Sequence, residues 1–228
     1  MVNIDTVYQR VLAIANKEQR GYITPLEFNL LANQAQLDVF EQYFYDRSQS
    51  ARGPGNATHH SDVDSMLDEK ISIFEAQVAS LAIPADLYRL GSVIVQDVDG
   101  DVEAKHVSRK DYVTISLSPL LKPTDRRPIY TRNANGIQVY GTNNALLAGG
   151  FINYVSIPRK VEWGYDVVGE KALHNGSLNR TFHFQHHSSE ETELVIRILE
   201  LAGVIIQDPG VIQYADGENM KQIQQEKQ

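Results

Sequence analysis

Three histidines within five positions, His183, His186 and His187, come nearer to chemistry than any other residues of this 228-residue chain. Imidazoles that close could share a zinc or nickel ion. Their setting argues otherwise. The stretch alternates like a strand, which sends His183 and His186 to opposite faces, and no acidic or thiol partner stands at a recognised ligand spacing. The three are expected to be structural or solvent-exposed, with no metal and no cofactor. His59-His60, in a polar linker, offers no better ligand set.

The run Asp97-Val98-Asp99-Gly100-Asp101-Val102-Glu103 has the look of a calcium loop but not its spacing. With Asp97 at the first ligand position, Val102 falls where the loop needs glycine and Ser108 where it needs a bidentate glutamate. A hairpin turn at Asp99-Gly100 is the simpler reading. Gly149-Gly150 lacks the following Lys-Ser/Thr of a phosphate-cradling loop, and the serine elbow is missing too. The expectation is a protein that is not an enzyme, although a site assembled from distant strands would leave no local motif. Lys122, Arg126, Arg127 and Arg132 could meet phosphate or an acidic partner, but four charges in so short a stretch are not exceptional and fit a solvated loop better.

Bulk composition narrows the field further. The absence of cysteine excludes disulfides, thiolate zinc sites and a cysteine nucleophile together. A formal net charge of −8 opposes non-specific nucleic-acid binding, which needs a basic surface to displace counterions. It does not exclude a basic patch, nor an acidic surface that faces DNA without gripping it. No apolar run approaches the roughly 18 to 20 residues needed to cross a bilayer, and Met1 to Asp5 lacks the basic start of a secretory signal. Cytoplasmic synthesis without membrane association is expected.

The elements that must position these residues can be read from periodicity. Ile4, Val7, Tyr8, Val11, Ile14 and Ala15 recur at helical spacing, and a first helix ends near Gly21. Thr24, Pro25 and Glu27 spell an N-cap, a first-turn proline and a capping box, with Ile23 and Phe28 placed as a hydrophobic staple. Leu26, Leu30, Leu37, Phe40 and Phe44 trace one face of the helix that follows. Arg47 to His60 reads as a linker, and Asp62 to Val78 as a third helix.

Beyond Pro84 the period becomes alternating. Strands are expected at Tyr88–Gln96, Val102–His106, Tyr112–Leu117, Phe151–Ile157 and Thr181–Gln185, with a hairpin joining Ile129–Arg132 to Ile137–Tyr140. Ser188 and Glu191 form a second capping box. The helix they open would bury Leu194, Val195, Ile198, Leu201 and Ala202, end at Gly203, and pass into a strand from Val204 to Gln207. The fold class is α+β: a helical region at 1–82 with a linker at 47–60, an antiparallel β-rich domain at 83–206 carrying the capped helix 188–202, and an extended or disordered tail at 207–228.

Three stretches together, MVNIDTVYQRVLAIANKEQRGYITPLEFNLLANQAQLDVFEQYFYD, YVSIPRKVEWGY and HHSSEETELVIRILELAGVIIQDPGVIQ, resemble virion neck proteins of crAss-like and related short-tailed phages. The resemblance covers most of the chain but no catalytic motif. It implies a head-to-tail connector, that is, an adaptor or ring protein joining portal to tail around the DNA channel. The expected partners are the portal protein, other neck or tail proteins, and further copies of the chain in a dodecameric ring. Genomic DNA would pass without sequence-specific binding. Another virion module, such as a tail hub or cargo protein, is the alternative, followed by a metal-dependent hydrolase using His183, His186 and His187. Residues expected at interfaces are Phe40, Tyr43, Phe44, Tyr45, Val204, Ile205, Ile206, Val211 and Ile212.

Overall fold

A computed structural model describes residues 1–17, 23–50, 57–97, 100–133, 136–147, 149–177, 180–206, 217, 220 and 221, with backbone alone at 50, 57–63, 97 and 204–206. The fold is α+β and divides into two compact units, one formed by Met1–Ile73 with Pro158–Gln228, the other by Phe74–Ile157. The β unit is thus an insertion in a mainly helical one. The expected boundary near residue 82 lies instead at 73/74, and the C-terminal helix belongs to the helical unit rather than to the β unit.

The helical unit contains α1 (Ile4–Lys17), α2 (Pro25–Ser50), α3 (Ala57–Ser72) and α5 (Glu191–Ile206), with α5 packed on α1 and α2. Thr24 closes its capping box as read: its amide donates to Glu27 Oε2 at 2.9 Å, and Glu27 N–H donates back to Thr24 Oγ1 at 3.3 Å. Ile23 and Phe28 are both buried. The core joins Ile4, Val7, Tyr8 and Val11 of α1 to Phe28, Val39 and Phe40 of α2 and to Leu194, Ile198 and Leu199 of α5.

Several expectations are corrected here. Helix α2 runs through Ser50 and α3 starts at Ala57, so the linker is shorter than 47–60; residues 51–56 lie outside the described set. Residues Glu75–Val78 are strand, not the end of α3. The cap before α5 is His187, whose Nδ1 accepts from Ser189 N–H at 3.3 Å ahead of a 3-10 turn, while Glu191 pairs with Arg10 at 2.9 Å. Gly203 does not end the helix. It is buried within α5, whose backbone continues through Val204 and Ile205 to Ile206, because glycine's cost of about 1 kcal/mol in a helix is small beside an apolar turn. Thr181–Gln185 makes isolated bridges rather than a strand, and a hairpin of β8 (Tyr165–Val168) and β9 (Lys171–His174) was not foreseen.

The inserted unit is a seven-stranded sheet in the order β1-β7-β2-β3-β4-β5-β6, with β1 Glu75–Val78, β2 Leu87–Asp97, β3 Gly100–His106, β4 Ile129–Asn133, β5 Gly136–Tyr140, β6 Leu146–Leu147 and β7 Phe151–Ser156. Asp97 pairs with Gly100, and Asn133 with Gly136, so both expected hairpins form, but each glycine pairs in the ladder rather than sitting in the turn. Gly136 takes φ +139°, which favours glycine. Val93, Val95, Tyr130, Val139, Ile152 and Tyr154 lie in one core on this sheet.

The sheet is mixed rather than purely antiparallel, since β3 and β4 run parallel with Lys105 opposite Ile129. Parallel neighbours cannot be joined by a tight turn and need a crossover, usually helical. That crossover is α4 (Arg109–Leu117), where alternation had suggested a strand. Ser108 decides the matter: its Oγ accepts from Asp111 N–H at 3.1 Å and donates to the Asp111 carboxylate at 2.8 Å, capping the first turn.

Candidate functional site

Helix α2 shows how this chain uses its side chains. Asn33 binds both backbone groups of Val161, donating to the carbonyl at 2.8 Å and accepting from the amide at 3.0 Å. Asn29 does the same to Trp163, at 3.4 and 2.8 Å, and Gln36 donates to the Arg159 carbonyl at 2.8 Å. Positions 29, 33 and 36 of the helix meet 163, 161 and 159 of an extended segment. The match is geometric, because three to four residues of helix rise about 4.5 to 6 Å and two residues of strand about 6.6 Å. The opposite edge of that segment pairs through Glu162 with Phe182. Trp163 donates through Nε1 to Asp5 at 2.9 Å and packs on Tyr8. This segment is therefore the fastening of the helical unit.

Beside that clamp three leucines stay open on a face they share with Glu27, Gln34 and Glu41: Leu26 and Leu30 are 66% and 68% exposed and Leu37 is 38% exposed. The face expected for Leu26, Leu30, Leu37, Phe40 and Phe44 is thus buried only toward its C-terminal end, at Phe40 and Phe44, and open at the three leucines. Phe40, Tyr43 and Phe44, expected at an interface, are buried in the chain's own core, and Tyr45 alone of that cluster is open. Leu26 and Leu30 border a groove of about 420 Å³ walled by Arg159, Lys160 and Phe182. The side chains of Val204, Ile205 and Ile206, and all of Val211 and Ile212, lie outside the described residues.

No protein-family model matches the chain, and no curated protein matches it.

Its histidines do not converge. His183, exposed, accepts the Ile4 amide on Nδ1 at 3.3 Å, His187 caps the 3-10 turn, and His186 is fully buried with its ring 5.8 Å from that of Tyr43. Among the described residues no three His, Asp or Glu side chains gather as a metal site. Burial pushes the His186 pKa down to about 4, with the Glu190 carboxylate partly opposing it. Glu190 is itself 2% exposed and pairs with Lys70 at 2.7 Å. Burial raises its carboxyl, but hydrogen bonds with Glu193, Lys70 and Ser189 and the Lys70 charge outweigh that and hold it below the usual range. This polar cluster joins α3 to the 3-10 turn that precedes α5.

The surface that sequence reasoning missed is on α4. None of its residues is buried; Val113 is exposed, Leu117 is 79% exposed, and just beyond it Leu120 reaches 84%. The signal was present in Ser108 and Asp111, whose cap marks a helix start, and in Leu120-Leu121 set between Pro119 and Pro123. Among the described residues no helix is long and apolar enough to cross a membrane.

Proposed function

We propose that the chain is a structural protein of the virion, a ring-forming connector of the phage neck that joins portal to tail and surrounds the DNA channel, and that it is not an enzyme. The observation that carries this reading is the outer stripe of α2, where Leu26, Leu30 and Leu37 stay open on a helix whose other side is already buried. Three leucines left open on one helix, with no core of their own to join, suit burial inside an assembly. The three stretches that resemble neck proteins support the same reading, and the central one contains Val161 and Trp163, the backbone that α2 clamps.

A net charge of −8 suits a channel through which DNA must slide without being held. Mass photometry and negative-stain images of the protein, alone and mixed with the portal protein, test the proposal. Rings of uniform size are expected. A protein that stays monomeric and binds neither portal nor tail components would overturn it.

A further inference from the structure

Crossover helices ordinarily lay their apolar side on the sheet they span. Helix α4 does so only in part. Tyr112 and Ile115 are half-buried, the Tyr112 ring stacked 4.2 Å from that of Tyr140, while Val113, Leu117, Leu120 and Leu121 stand 57% to 84% exposed. The projection is nonetheless held at both ends. Ser108 caps its start, and past the leucines Asp125 locks to Thr142 through three hydrogen bonds of 2.7 to 3.1 Å. An apolar knob fixed in this way is already ordered for docking and loses little freedom on binding.

Charge selects its seat. Around the knob stand Arg109, Lys110, Lys122, Arg126 and Arg127 against Asp111 and Asp125. Helix α2 carries Glu27, Asp38, Glu41 and Asp46 against Arg47, and Arg47 is engaged with Asp68 at 3.1 Å. Arg159 and Lys160 wall the groove at the Leu26 end, so the acidic half of α2 is the stretch from Asp38 onward. Spacing agrees with charge: Arg109 to Leu117 and Asp38 to Leu30 each span eight residues, about 12 Å of helix. A leucine tip set on Leu30 and Leu37, clear of Arg159 and Lys160, therefore brings the basic root of α4 toward Asp38 and Glu41.

We propose that the α4 projection of one copy packs on the outer stripe of α2 of the next copy, so that the ring closes head to tail through two unlike surfaces. This rests on the ring reading above and supplies its subunit contact. Unlike patches on one chain form a heterologous interface, which yields a ring when the rotation closes.

Complementation between two full-length variants provides the test. Leu117→Asp/Leu120→Asp spoils the knob and leaves the seat; Leu30→Asp/Leu37→Asp does the reverse. All four positions are exposed, and circular dichroism melts matching the unaltered protein verify folding. Each variant alone is expected to be monomeric by mass photometry, with self-association weakened at least tenfold, and their equimolar mixture to form dimers and nothing larger. Glu41→Lys should weaken assembly of the otherwise unaltered chain, and added salt should do the same. Rings that persist in both double variants would overturn this interface while leaving the neck reading intact. Monomeric variants whose mixture stays monomeric would overturn the knob-to-seat pairing, including the case in which the knob covers α2 of its own chain. An unaltered protein that never self-associates would overturn both.

Discussion

At the scale of single residues, the informative groups are buried polar ones rather than the exposed histidine pair. His186 has a folded pKa of about 4 against an ordinary 6.5, so between those values the unfolded chain takes up a proton that the folded chain refuses. Stability is therefore intact above pH 6.5 and falls as pH drops toward 4, by up to ~3 kcal/mol. Glu190, held below its ordinary 4.5, adds loss of the same sign at lower pH. Thermal melts of His186→Phe should show a flatter profile between pH 6.5 and 4.5 than the unaltered protein; an unchanged slope would mean that the ring is not shielded from water. Removing the cation partner is more severe. Lys70→Met leaves a carboxylate 2% exposed without its ion pair and should cost ~3 to 5 kcal/mol in urea unfolding, whereas Lys70→Met with Glu190→Gln should recover much of that loss.

Elements in this chain are decided by caps and side-chain amides as much as by periodicity. Asn33→Ala removes one donor and one acceptor from the Val161 backbone and should cost about 1 to 3 kcal/mol. Asn33→Asp should also destabilise, because a carboxylate can accept from the Val161 amide but repels its carbonyl. Equal stability of the Asp and Asn forms in denaturant titrations would contradict the two-way clamp. For α4, Ser108→Ala should lose about 1 kcal/mol and raise amide exchange across residues 109–117 specifically. The Thr24-Glu27 box was legible because its cap, proline and staple are all local. The Ser188-Glu191 box was a false match: Glu191 found Arg10, a residue far away in sequence, and His187 took the capping position. Tyr112 to Leu117 alternates like a strand, and only the parallel pairing of β3 with β4 requires a helix there.

For the whole molecule, the insertion of Phe74–Ile157 into the helical unit makes a fragment prediction possible. The sheet has its own core in Val93, Val139, Ile152 and Tyr154, so residues 74–157 expressed alone should show strand-rich circular dichroism and dispersed amide resonances. A fragment that stays unfolded would show that the sheet needs the helical unit. The sequence by itself determined the α+β class, the two hairpins, the start of α2 and most of the apolar face of α5, where Leu199 rather than Leu201 is buried, because each depends on residues a few positions apart. Tertiary structure alone decided that Leu26, Leu30 and Leu37 of α2 stay open, that Phe40, Tyr43 and Phe44 face inward, and that α5 belongs with α1 and α2 rather than with the sheet. It also decided that α4 carries its leucines outward. In each case the deciding partner lies far off in sequence, as Val161 and Trp163 do for Asn33 and Asn29, and no local pattern encodes which of two apolar faces a distant segment will cover.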